Sequence, residues 1–138
     1  MRRFKVLDHT ADVGLRVYGR DLKELFENAG IGLFSLITDL RKVRCQVEKQ
    51  IEIWRENPER LMVEWLNELL YFHDVDHLLF KRFSLDRVDE AGLRGKAEGE
   101  PFQDRVHVVK TEVKAVTYHQ IQVRREDTKW KAQIFFDL

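Results

Sequence analysis

Apolar residues recur along this chain in two periods, and the switches between them predict the elements. Residues 4–7 form a short apolar run, and Val13, Leu15 and Val17 then alternate with Gly14, Arg16 and Tyr18. Two strands therefore flank the turn Asp8-His9-Thr10-Ala11-Asp12. The period then lengthens. Leu22, Leu25, Phe26, Ala29, Gly30, Leu33, Phe34 and Ile37 form one helical stripe, with Asp21 placed as cap and Glu24 at the capping-box position. Alternation returns over 43–53: Val43, Cys45, Val47, Ile51 and Ile53 share one parity, and Arg44, Gln46, Glu48, Gln50 and Glu52 the other, as in a half-buried strand. Asn57 followed by Pro58 reads as cap and first residue of a second helix, whose apolar face runs through Leu61, Met62, Trp65, Leu66, Leu69, Leu70 and Phe72 towards His73.

The remaining runs, 79–88, 93–98, 113–123 and 130–136, are rich in β-branched and aromatic residues and are separated by turns near Glu90-Ala91-Gly92 and Glu126-Asp127-Thr128. Strands outnumber helices without alternating with them. The expected fold class is α+β: a mostly antiparallel sheet with two amphipathic helices packed on one face. No linker, repeat or low-complexity run divides the chain, so residues 1–138 form one domain.

Composition narrows the function classes. With 138 residues, 43% hydrophobic, the chain can bury about 65 to 70% of its unfolded surface without staples. Cys45 is the single cysteine, which excludes an internal disulfide, an all-cysteine zinc site and an iron-sulfur cluster, and fits a reducing, cytoplasmic location. The longest uncharged stretch, 28–38, is shorter than the roughly 18 apolar residues of a membrane span. The 24 basic side chains are balanced by 24 acidic ones, and a net charge of zero argues against tight autonomous RNA binding, which draws on a basic excess to displace phosphate counterions. Lys110, Lys114, Arg124 and Arg125 read as a solvated strand face.

Most motif-like features have ordinary explanations. Gly30 and Gly32 form a lone G-x-G inside a helical stripe, with Ser35 where a dinucleotide fingerprint needs its third glycine, so helix packing accounts for them. No phosphate-cradling loop is present, and Ser35 and Ser84 lack a nucleophile elbow. His73 and His77 have the four-residue spacing of zinc ligands, but Asp74 replaces the glutamate of H-E-x-x-H; histidines at a helix C-terminus complement its dipole. Cys45 falls on the apolar parity and reads as an inert core thiol, and His107 and His119 are isolated.

The turn at Asp8, His9 and Asp12 is a different case. Aspartates in turns ordinarily bond their own backbone. The chain, however, also ends Asp137-Leu138 directly after a predicted strand, which would hold a side-chain and a terminal carboxylate on rigid backbone. If the first and last strands are neighbours, Asp12, Asp137 and the Leu138 carboxylate converge. At about 4 Å and an effective dielectric near 20, each like-charge pair would repel by roughly 4 kcal/mol, which protonation or a cation must relieve. An all-oxygen donor set selects a hard ion of the Ca²⁺ or Mg²⁺ type over zinc, with His9 a further participant.

Several ordered stretches, Asp8-His9-Thr10-Ala11-Asp12-Val13-Gly14-Leu15, Leu25-Phe26-Glu27-Asn28-Ala29, Trp65-Leu66-Asn67-Glu68-Leu69-Leu70-Tyr71, the block from Lys110 to His119, and Phe135-Phe136-Asp137-Leu138, resemble the archease family over nearly the whole chain. The resemblance implies a small α+β protein that is not itself an enzyme. It implies an activator of the RtcB-type tRNA-splicing RNA ligase, promoting guanylylation of the ligase and its multiple turnover in exon joining, broadening its nucleoside triphosphate use, and meeting tRNA only through the ligase. The family's metal positions match Asp12, Asp137 and Leu138, with a divalent ion as cofactor. Lys114 is expected to neutralise this cluster or face the ligase. Gln103 and Asp104 depart from the family's acidic residue and proline after Gly-Glu-Pro-aromatic, so that loop is assigned no role. Two other readings stay open: a metal-independent chaperone-like or RNA-associated binding module, and a metal hydrolase with His9 or His119 as proton carrier.

Overall fold

The computed structural model describes residues 2–8 and 12–138, and the side chains of all of these except Asp8. The predicted turn residues 9–11, His9 among them, lie outside the described residues. In chain order the elements are β1 (Phe4–Asp8), β2 (Asp12–Gly19), α1 (Leu22–Ile37), a 3₁₀ turn (Leu40–Lys42), β3 (Val47–Trp54), α2 (Pro58–Asp76), β4 (Leu78–Asp89), β5 (Gly92–Pro101), β6 (Ala115–Val116), β7 (Gln122–Glu126) and β8 (Lys129–Asp137).

The α+β class and the two helices stand, and the strands divide between two antiparallel sheets instead of one. One sheet runs β1-β2-β8-β6, with β7 also paired to β8; the other runs β3-β5-β4. Helix α1 packs against both. An added Cβ at Gly30 would stand 2.9 Å from the Phe83 ring of β4, and one at Gly32 would stand 3.0 Å from Leu15 of β2, so each glycine lets a different sheet approach the helix. This closeness, and no nucleotide, is the use of the G-x-G pair.

Both helix starts form as their sequences require. The Asp21 carboxylate accepts from the Glu24 N–H at 2.8 Å, while Glu24 reaches back to the N–H of Arg20, one residue beyond the cap itself. Asn57 caps α2 by accepting from the Arg60 N–H at 3.1 Å. Helix α2 ends at His77 in the left-handed region (φ 57°), and His73 Nδ1 lies 2.9 Å from the Leu78 carbonyl. The two histidines therefore finish a helix, with His73 tied to the first residue of the strand that follows. The core between the layers holds Phe34, Phe80, Phe83 and Trp65 in mostly edge-on contacts, worth about 0.5 to 1.5 kcal/mol per pair beyond area burial. Trp65 also donates its indole N–H to the Phe26 carbonyl at 2.9 Å, tying α2 to α1.

Two other expectations change. Cys45 is half-buried in the extended segment before β3 and is not a core thiol: the parity read from Val43 holds, with Val43 and Ile51 buried and the even positions exposed, but the inward side is only partly covered between them, where Val47 is exposed. The predicted strand over 113–123 is reduced to β6 and β7, and most of the chain between β5 and β6 is an irregular strap over the end of the molecule. Among the described residues no helix is long and apolar enough to cross a membrane.

Glu27 joins α1 to β4 by accepting from the Leu85 N–H at 2.8 Å, and its burial pushes its carboxyl above the usual range, partly opposed by that hydrogen bond. A raised carboxyl in the folded state binds its proton more tightly than in the unfolded chain, so stability falls as pH rises from the unfolded value through the folded one. Glu27→Gln keeps an oxygen for Leu85 and removes the charge. The variant is expected to unfold at a higher temperature than the parent near pH 7 and to converge with it near pH 4, measured by thermal melts across about pH 4 to 7.

Candidate functional site

Strands β2 and β8 pair along their full length in a register that sets Val13 opposite Phe136 and Asp12 opposite Asp137. Directly opposed residues of an antiparallel pair project from the same face with Cβ atoms about 5 Å apart. Val13, Leu15 and Val17 of β2, with Ala132, Ile134 and Phe136 of β8, are buried on the core side. Alternation therefore places Asp12 and Asp137 on the outer face, where Asp12 is half-buried and Asp137 exposed. In water two such carboxylates repel by only about 1 kcal/mol at contact, so the pair is tolerated and remains available to a cation.

The other edge of β8 completes the cluster. Ala115 of β6 lies opposite Asp137, and the Lys114 N–H donates to the Asp137 carbonyl at 2.9 Å. This short strand is held by α2, whose Asn67 side chain accepts from the Val116 N–H at 3.0 Å. Asp12, Asp137, Lys114 and Leu138, the last 44% exposed, thus share one end of the sheet. His9, the fifth candidate, lies outside the described residues. Lys114 also borders a cleft of about 440 Å³ shared with His73, Asp74, His77, Phe102 and Glu112.

The same face carries two residues that pattern reading missed. Phe135, between Ile134 and Phe136 in the chain, points outward yet is 3% exposed, because it lies over Gly14; an added Cβ there would stand 2.7 Å from its ring. His119 approaches that ring edge-on, with centroids 5.9 Å apart. The approach is fixed by Thr117, whose N–H and hydroxyl both reach the Phe135 carbonyl and whose hydroxyl oxygen accepts from the His119 N–H at 3.2 Å. An isolated histidine ahead of a turn has no periodicity to reveal this placement.

Chemically, the end of the sheet offers oxygens and one ammonium. Among the described residues no three His, Cys, Asp or Glu side chains gather as a metal cluster. The two opposed carboxylates, with Leu138 beside them, are a hard and incomplete donor set, the kind that suits a divalent cation retaining waters or sharing ligands with a partner. Among the described residues no nucleophile is paired with a base there.

Comparisons with known proteins agree over the full length. The family model described as Archease protein family (MTH1598/TM1083) matches residues 4–138. The chain is 42% identical to Protein archease of Pyrococcus furiosus over 142 residues, covering 100% of both, and 39% identical to Protein archease of Sulfolobus acidocaldarius over 140 residues, again covering 100% of both. Among solved structures it is similar to protein 1598 of Methanobacterium thermoautotrophicum, with 40% identity, 100% of each chain covered and a TM-score of 0.86. It shares its fold, at 23% identity and a TM-score of 0.65, with a Thermotoga maritima protein described as an archease and possible chaperone; 100% of this chain and 98% of that one are covered.

Proposed function

Because the chain belongs to the archease family, we propose that it is a non-catalytic activator of an RtcB-type tRNA-splicing RNA ligase, promoting guanylylation and repeated turnover and widening nucleoside triphosphate use. The observation that carries this reading is the register that brings Asp12, Asp137 and Lys114 to one solvent-facing sheet end. Asp12 and Asp137, with the Leu138 carboxylate, would hold a divalent ion of the calcium or magnesium type. Such an ion, when bound, supplies positive charge against phosphate oxygens, the main requirement of nucleotidyl transfer.

The residues of this chain do the positioning. The β2–β8 ladder fixes the separation of the two aspartates, and Lys114, whose N–H bonds the Asp137 carbonyl, is the cation we assign to this end, to offset the negative field or to face the ligase. Donors on strands are held more rigidly than donors on loops, which favours presenting charge to a partner. The incomplete donor set fits a shared function: the ligase supplies the nucleophile and the remaining ligands.

A metal-independent, chaperone-like reading is favoured by the lack of a three-ligand cluster among the described residues and by the description of the Thermotoga relative as a possible chaperone. One assay separates the two. Joining of tRNA halves by a purified RtcB-type ligase in excess substrate should proceed past the first turnover only when this protein is added, and should accept a second nucleoside triphosphate only then. Stimulation by protein stripped of metal with EDTA, at an ion level that saturates the ligase, would select the chaperone-like reading, and no stimulation would reject both.

A further inference from the structure

The net charge of zero conceals a separation of charge along β2. The acidic residues lie at its Asp12 end, whereas Arg20 follows its Gly19 end, about 23 Å away at 3.3 Å per residue. At that far end a groove of about 580 Å³ is bordered by Arg2, Arg3, Arg20, Lys81 and Arg82, with Glu24 and Glu27 the acids among them. All five cations are exposed. Arg20 is bound to Glu24 at 2.8 Å, and Arg2, Arg3, Lys81 and Arg82 make no ion pair within 4.0 Å among the described residues.

The lysine and arginine of β4 sit together through a specific irregularity. Pairing with β5 is regular up to Phe80, opposite Gly99, and resumes at Arg82, opposite Glu98, so Lys81 is the extra residue of a β-bulge. The bulge breaks the alternation and leaves Lys81 and Arg82 exposed in succession. Arg3 is held beside them by the first sheet, where its carbonyl accepts from the Tyr18 N–H at 2.9 Å. Three separated segments thus deliver cations to one concavity.

We propose that this groove binds the phosphodiester backbone of RNA, at the end of the molecule opposite the acidic cluster. Four of the five cations are arginines, whose planar forks match phosphate oxygens two at a time. Arginine serves protein interfaces too, but there it surrounds or joins a desolvated aromatic or aliphatic centre. Among the described residues none of the exposed large hydrophobics, such as Trp54, Tyr71 or Tyr118, borders the groove. The same lack of exposed aromatics leaves no platform for stacked bases, so recognition is of the backbone and indifferent to sequence. A direct RNA interaction goes beyond the activator reading, and the net charge missed it because it averages over two opposite ends.

The test uses a fluorescein-labelled tRNA transcript and fluorescence anisotropy across a sodium chloride series, without any ligase, so that failure here leaves the activator reading untouched. The combined variant Arg3→Gln, Lys81→Gln and Arg82→Gln is compared with Arg124→Gln, Arg125→Gln and Lys129→Gln, which changes net charge equally on the β7–β8 hairpin. The groove variant is expected to bind about tenfold or more weakly, with the slope of log K against log salt shallower by about 2, near 0.7 for each phosphate it no longer neutralises. The hairpin variant should remain within about twofold of the parent, and Glu27→Gln, which removes a negative charge from the groove, should bind more tightly. Because all substituted cations are exposed, thermal melts should match the parent; Arg82→Glu alone, which is expected to weaken binding several-fold, serves if the combined variant does not fold. Equal weakening by the two combined variants, displacement of RNA by polyglutamate at matched charge, or no binding by the parent at low salt would each overturn the proposal.

Discussion

Asp137→Asn is expected to lose most of its stimulation of multiple-turnover ligation while unfolding at the temperature of the parent, and Asp12→Asn is expected to behave alike. The two effects separate because of how the residues are held. Asp137 receives the Lys114 N–H on its main-chain carbonyl, and its side chain is exposed, so the amide disturbs neither backbone pairing nor packing. Removing one of two opposed like charges also relieves a small repulsion, so a fall in stability is not expected. Function should suffer strongly. Perturbing groups that merely orient metal ligands lowers affinity on the order of 10 to 100-fold, and removing a ligand from an already incomplete set should cost at least the lower figure.

The measurement is the number of ligation turnovers as a function of calcium and magnesium concentration, with Glu90→Gln, an exposed acid in the β4–β5 turn, as the charge-matched control. Titration calorimetry with calcium chloride reports on the site directly. If both aspartate variants stimulate as the parent does, the acidic end is not the working surface. If calorimetric heat disappears while stimulation stays, the ion is incidental to activation.

What could be read before the structure depended on the range of the interactions. Helices α1 and α2 were legible to their caps because Asp21 and Asn57 act on N–H groups three residues away. The alternation of β2 was legible for the same local reason. Partition into two sheets was not, since period-two alternation states which face of a strand is buried and nothing about its neighbours. The strap after β5 offered no period to read: Val106 and Val108 are exposed, 43% and 69%, while His107 between them is buried. The acidic end was legible as a set of residues through the family resemblance, but its convergence is a matter of β2–β8 register, a long-range choice. The packing of His119 on Phe135 and the Lys81 bulge left no local trace at all.

The strap is also where one substitution should damage the fold most. His107 is 2% exposed, and its Nε2 stands 3.0 Å from both the Lys42 carbonyl and Glu100 Oε2, while Nδ1 accepts from the Gln103 N–H at 3.0 Å. An Nδ1 that accepts an N–H places the ring proton on Nε2, so one proton is shared between a carbonyl and a carboxylate. Glu100, 3% exposed, is otherwise satisfied by the Arg44 N–H at 2.7 Å and a long approach from the Gln103 side chain at 3.4 Å. His107→Ala would take a donor from a buried acid, orphan the Gln103 N–H and leave a cavity. Leaving a buried hydrogen-bonding group unsatisfied costs about 1 to 3 kcal/mol, and with two groups orphaned and a cavity opened a loss on the order of 3 kcal/mol is expected in urea unfolding. The double variant His107→Leu with Glu100→Leu should be less destabilised than the sum of its single changes, because neither partner remains unpaired. The consequences reach the sheet end through the chain itself. The Lys110 N–H holds the strap to the Ile37 carbonyl at 2.7 Å, and four residues on the Lys114 N–H grips Asp137, so a strap loosened at His107 lets the lysine drift from the aspartates. His107→Ala should therefore lose stimulation at temperatures below its own melting point, where the parent is unaffected. A variant within about 1 kcal/mol of the parent would show instead that solvent or a neighbour replaces the imidazole, and that Val113, the Lys110 bond and the Thr38 hydroxyl on the Val108 carbonyl suffice to hold the strap.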